Sequence, residues 1–169
     1  MGLDMYLEKH IYIGGKYLDG KVKIKGRKKE GSAKVTIDRG DPCIGPKFVE
    51  IDFNEVSSVA VSVAYWRKAN AIHNWFIQNC AKGVDDCRPV YVEPSQLIEL
   101  RKICEDILKR PEGEERDSAA ESMLPTCDGF FFGTTEYGEW YYQQLQNTVD
   151  MLKDIAEGDH DDYYYEASC

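Results

Sequence analysis

The sequence predicts an α+β fold: a single domain in which an antiparallel sheet, extended by a basic β-hairpin, packs against about three helices. Three observations lead there. At the N-terminus Leu3, Met5 and Leu7 alternate with Asp4, Tyr6 and Glu8, the period of a half-buried strand. Short runs rich in β-branched or aromatic residues recur at 56–65, 90–92 and 130–132. Between and after them, apolar residues repeat at helical spacing over 66–81, 94–110 and 134–157.

The elements follow in order. After the first strand, residues 2–13, Gly14-Gly15 make a turn. Val22 and Ile24 then alternate with Lys21, Lys23 and Lys25, and Lys34-Val35-Thr36-Ile37-Asp38 repeats the pattern, which predicts a basic hairpin over 21–38. Residues 56–65 read as a buried strand running directly into a helix from Trp66 to about Ala81, with Gly83 as its stop. Val84-Asp85-Asp86-Cys87 is a loop and Val90-Tyr91-Val92 a short strand. Pro94 opens a helix to about Arg110 that buries Leu97, Leu100, Ile103, Cys104 and Ile107. Residues 111–122 read as a flexible acidic loop. Gly129-Phe130-Phe131-Phe132-Gly133 reads as a strand, and Thr134 or Thr135 as the cap of a helix to about Glu157. Tyr137, Trp140, Tyr141, Thr148, Met151, Leu152 and Ile155 form its inner arc. The domain is expected to span 1–158, with 159–169 a disordered acidic, tyrosine-rich tail.

Composition narrows the function. The chain has 169 residues and a net charge of −9, but residues 1–50 carry +4 and residues 51–169 carry −13. Long nucleic acid is a poor partner for such a chain, because phosphate contacts dominate that affinity. The sequence holds neither a run of about 18 apolar residues nor a basic-then-apolar leader, so a protein without a membrane segment, in the cytoplasm, is expected. The six cysteines form no CxxC pair and match no zinc spacing, and reduced thiols are the expectation. No cofactor motif, metal set or catalytic group is assigned.

Two polar–aromatic junctions stand out. In Trp66-Arg67-Lys68-Ala69-Asn70-Ala71-Ile72-His73-Asn74, two cations are expected in the first turn of a helix, where acidic residues are usually favoured. Helix N-termini receive anions, so Trp66, Arg67, Lys68, Asn70, His73 and Asn74 are candidate ligand contacts. His73 read alone is a buried histidine bonded to a backbone carbonyl. Thr134, Thr135, Glu136, Tyr137 and Trp140 are candidates for a second wall, with ring faces for stacking. Asp85 and Asp86 read as a solvated turn, as a pair for Arg67 or as a cation site.

The strings Met1-Gly2-Leu3-Asp4-Met5-Tyr6-Leu7, Tyr65 to His73, Asp85-Asp86-Cys87, Leu124-Pro125-Thr126 and Gly129 to Tyr137 resemble, in order and spacing, a family of small phage and prophage proteins. The resemblance covers nearly the whole chain and is weakest over 14–50 and 111–122. It implies an accessory role inside an infected bacterium, and it brings no catalytic residues with it. That family carries a charged residue where this chain has Gly138.

The expected function is therefore binding of a small anionic, nucleotide-like ligand, with sequestration of a host-defence signalling nucleotide as its sharpest form. Two alternatives stand beside it. One is a small nucleotide- or nucleic-acid-processing enzyme using His73 with Asp85 and Asp86. The other is an inhibitor that binds a host protein, which predicts an exposed apolar patch in place of a concave pocket. Self-association into a homo-oligomer is compatible with each.

Overall fold

The computed structural model describes residues 2–12, 32–37, 47–52, 58–129 and 132–168. Its strands are β1 (Asp4–Tyr12), β2 (Ser32–Ile37), β3 (Lys47–Asp52), β4 (Ser58–Arg67), β5 (Val90–Val92) and β6 (Asp162–Ser168). Its helices are α1 (Asn70–Asn79), α2 (Pro94–Leu108), α3 (Glu114–Met123) and α4 (Glu139–Leu152). The fold is α+β, with an open antiparallel sheet ordered β4-β1-β6-β5. The chain divides into two compact units, Met1–His10 with Ala60–Cys169, and Ile11–Val59.

Within Ile11–Val59, β2 and β3 form an antiparallel pair, with Ser32 opposite Asp52 and Ile37 opposite Lys47. The expected second arm of the basic hairpin is thus a strand, but its partner here is Lys47–Asp52. The alternation of Val49 and Ile51 with Glu50 and Asp52 was the available signal. The expected first arm, 21–25, lies outside the described residues.

Four expectations are corrected in the larger unit. The tail is not disordered: Asp162–Ser168 is the inner strand β6, registered from Asp4 opposite Ser168 to His10 opposite Asp162. Its inward residues, Tyr163, Tyr165 and Ala167, are at most 4% exposed. The acidic loop is helix α3. Glu114, Glu115 and Asp117 lie in its first turn, where carboxylates suit the helix dipole, and Ala120 is fully buried. Arg116 locks it down by donating to the carbonyls of Leu108 and Arg110 at the end of α2. Of the expected buried strand 56–65, the described part lies in β4, an edge strand among the described residues, with Val61 40% and Tyr65 47% exposed while Ala64 and Trp66 are buried. Both expected helix starts move later. Trp66 and Arg67 stay in β4, Lys68 turns the corner at φ 54°, and α1 begins at Asn70. The Thr134 hydroxyl accepts the Glu136 amide in a local turn, and α4 starts only at Glu139.

Other elements follow the sequence closely. Helix α2 begins at Pro94 with a capping box, in which Glu93 and Gln96 each satisfy the other's backbone N–H. Phe132 lies in coil, while Phe130 and Phe131 lie outside the described residues. The core is built by Leu3 just before β1, Met5 and Leu7 of β1, Trp66 of β4, Ile72 and Phe76 of α1, Leu97, Leu100 and Ile107 of α2, and Leu145 and Leu152 of α4. Each such burial contributes about 1.5–3 kcal/mol. No described helix is long and apolar enough to cross a membrane.

Candidate functional site

The two sequence junctions meet. The Asn70 side chain, only 3% exposed, donates from Nδ2 to the carbonyls of Thr134 at 2.8 Å and Phe132 at 3.3 Å. Gly133 permits the approach: it has φ 93°, and a Cβ there would stand 3.3 Å from Lys68 Cβ. Lys68, Asn70, Thr134, Glu136 and Trp140 border one crevice of about 10 Å³. That is room for about one water. The junctions form a seam, and the crevice on it is too small for a nucleotide.

The remaining candidate residues divide between core and surface. Trp66 is 1% exposed, and its Nε1 donates to Thr148 Oγ1 at 2.9 Å, tying β4 to α4. Asn74 donates to the Pro125 carbonyl at 3.4 Å. Thr135 accepts the Thr126 hydroxyl through its carbonyl at 3.0 Å, and the Tyr137 hydroxyl accepts the Thr126 amide at 3.4 Å. The two adjacent cations serve different surfaces. Lys68 lies on the crevice, while Arg67 projects from β4 with its Nε 3.8 Å from Asp4. Trp140, expected on the inner arc of its helix, is 49% exposed.

His73 is buried as expected, but its partners are side chains and not a carbonyl. Its Nε2 lies 3.1 Å from Asp85 and its Nδ1 2.7 Å from the Tyr165 hydroxyl. A carboxylate only accepts, so the ring nitrogen facing Asp85, Nε2, is the one that donates. The Phe132 ring meets the imidazole edge-on at 5.0 Å, and Phe76 stacks on Tyr165 at 4.0 Å. Asp85–His73–Tyr165 thus has the order of a proton relay. Tyr165 at its inner end is only 2% exposed, while Asp85 at its other end lies at the surface. What the chain does is hold α1, the 82–88 loop and β6 together.

Asp86 is engaged by its neighbour: the Arg88 guanidinium holds its carboxyl below the usual range, and neither aspartate pairs with Arg67. Among the described residues no group of three or more His, Cys, Asp or Glu side chains could hold a metal ion. Cys80, Cys104 and Cys127 are free thiols. Burial pushes Cys80 and Cys104 up to about 12, so neither is a thiolate at neutral pH.

Two surfaces remain. The first is the sheet face turned away from the core, where β1 presents Asp4, Tyr6, Glu8 and His10, and β6 presents Asp162, Tyr164, Glu166 and Ser168. Tyr6, Tyr65 and Tyr91 are 42%, 47% and 45% exposed. The rings are grouped: Tyr6 lies 5.3 Å from Tyr65, Tyr91 5.8 Å from Tyr164, and His10 4.6 Å from Tyr164. Strand alternation alone could have found half of this face, through Tyr6 and Glu8. The other half was hidden by reading β6 as a tail. The second surface is a hollow of about 570 Å³ beside α3 and α4, walled by Glu112, Arg116, Tyr137, Glu139, Tyr142 and Gln143. Arg116 lies 5.3 Å from the centre of the Tyr142 ring, and the Tyr142 hydroxyl donates to Asp117.

Comparison with family models, with curated proteins and with solved structures gives no match.

Proposed function

We propose that the protein is a binding protein that docks a protein partner on the outer face of its sheet. One observation carries this reading: three tyrosines, each more than 40% exposed, stand on one sheet face. Tyrosine supplies large contact area with a polar tip at low entropic cost, the residue type enriched in protein interfaces. The likeness to phage proteins makes a host factor the natural partner. A photo-crosslinking residue in place of Tyr91, compared with one in place of Lys102 on α2, tests it in host lysate. A discrete adduct from position 91 alone is the expected result. Equal adducts from both positions, or none from either, contradict it.

A second reading, a small anionic or nucleotide-like ligand, is favoured by the hollow beside α4. Its volume of about 570 Å³ falls in the usual range for ligand sites, and Tyr137 and Tyr142 offer ring faces beside the Arg116 guanidinium. Titration calorimetry with a panel of cyclic and ADP-ribose-type nucleotides tests it. Binding tighter than about 100 μM that is lost in Tyr142→Ala supports it, and no binding at that level excludes it.

A further inference from the structure

The outer sheet face carries more than tyrosines. Across the β1–β6 ladder Tyr6 stands opposite Glu166, Glu8 opposite Tyr164 and His10 opposite Asp162. Tyr91 faces Tyr164 on the next strand. Rings and carboxylates therefore interleave, with the Tyr6–Tyr65 pair and the Tyr91–Tyr164 pair on either side of Glu8 and Glu166.

The charges on this face are one-sided. Asp4, Glu8, Asp162 and Glu166 are negative, Arg67 is the permanent cation, and His10 is 4.0 Å from Glu8. Arg67 offsets Asp4 at 3.8 Å, whereas Asp162 and Glu166 form no ion pair among the described residues. The tyrosine hydroxyls register this field. Tyr91 is pushed up by burial first and then by Asp162 and Glu93, and Tyr65 is pushed up by its hydrogen bond to Asp4.

Resting on the docking reading above, we infer that the partner presents a basic, arginine- or lysine-rich extended segment, which lies across the strands from Tyr65 to Tyr91. Ring faces attract cations, and guanidinium stacks on tyrosine while reaching a neighbouring carboxylate with its fork. Three interstrand steps span roughly 14 Å, the length of about four extended residues. A segment with a cation at alternate positions thus meets a ring or a carboxylate at each. Two other occupants fit less well. A nucleic acid meets four carboxylates, and a second copy on a two-fold axis brings the same negative face against itself.

The test is an NMR titration of the full chain with an octapeptide of alternating arginine and glycine, with an octapeptide of alternating glutamate and glycine and a single-stranded oligonucleotide as controls. Only the basic peptide is expected to shift the amides of Tyr6, Glu8, Tyr91, Tyr164 and Glu166. Its affinity is expected to fall at least tenfold between 50 and 300 mM salt. Glu8→Gln with Glu166→Gln, both on the exposed side of their strands, is expected to weaken it about fivefold with the rest of the spectrum unchanged. Shifts with the acidic peptide or oligonucleotide, equal binding to the double variant, or concentration-dependent dimerisation that covers the same amides each overturn the inference. If the position-91 crosslink persists while the basic peptide fails, the charge class falls and the docking reading stands. If both are absent, both fall.

Discussion

Tyr163, Tyr164 and Tyr165 are consecutive and identical, yet they belong to two different regions of the molecule. Tyr163 and Tyr165 face the core at 2% exposure, and each hydroxyl is placed: one donates to Asp159 at 2.8 Å, the other pairs with His73 at 2.7 Å. Tyr164 faces the other way, into the group formed by His10 and Tyr91. The same split runs through β1, where Met5 and Leu7 are fully buried and Asp4, Tyr6 and Glu8 are not. On a strand, residue type does not assign a side chain's role; parity does. Inner residues hold the fold, and outer residues are free to carry recognition.

Truncating one tyrosine on each side of β6 is expected to give very different results. Tyr165→Ala, like other large-to-small changes of buried rings, is expected to cost about 3–5 kcal/mol in chemical denaturation. Tyr164→Ala is expected to cost less than about 1 kcal/mol. Similar costs would show that the outer face is part of the core after all.

Next in size is the chain of hydrogen bonds behind the inner face. His73→Ala removes a partner from Asp85 and Tyr165 and is expected to cost about 1–3 kcal/mol beyond its lost packing. Trp66→Phe removes the donor to Thr148 and is expected to cost about 1 kcal/mol. If His73 were instead an exchangeable site residue, its variant would denature at the wild-type midpoint.

Thiol labelling sharpens the boundary without altering the fold. The labelling is done at pH 8, on native and on denatured protein. Cys104 and Cys80 are expected to wait for unfolding, since burial holds both near 12. Fast native labelling at Cys104 would mean that α2 leaves the core readily.

The smallest expected effect lies at the end of the β1–β6 ladder. The Asp161 carboxylate, 2.8 Å from Lys9, raises the lysine above its usual 10.5. A raised pKa stabilises the fold below the unfolded value and is lost as pH rises through the folded one. The pair is largely solvated, so Lys9→Gln is expected to cost only a few tenths of a kcal/mol at pH 7, an effect that vanishes as pH rises through the lysine's raised pKa.

Much of this architecture was readable from residues alone, and the failures have physical causes. Helix α2 was legible because Pro94 and an apolar stripe mark it without ambiguity. β6 was not, because its buried partners are tyrosines beside aspartates, a composition that reads as solvated until a neighbour strand is known on each side. Helix α3 has little apolar patterning; a carboxylate-rich first turn and the Arg116 hook to α2 hold it. The candidate site shows the same limit. Trp66, Asn70 and His73 carry the polar atoms a ligand would want, but the fold uses them to join β4 to α4, α1 to the 132–134 loop, and α1 to β6. Polarity within a motif announces a bond to be made, and only the packing reveals whether its partner is inside the chain.

The central claim, that the outer sheet face recognises while the inner face supports, is tested most directly by the double variant Tyr6→Ser with Tyr91→Ser. Its binding of the arginine–glycine octapeptide and its denaturation midpoint are measured on the same sample. The account predicts at least a tenfold loss of binding with a stability change below about 1 kcal/mol. Unchanged binding, or binding lost only in step with unfolding, would contradict it.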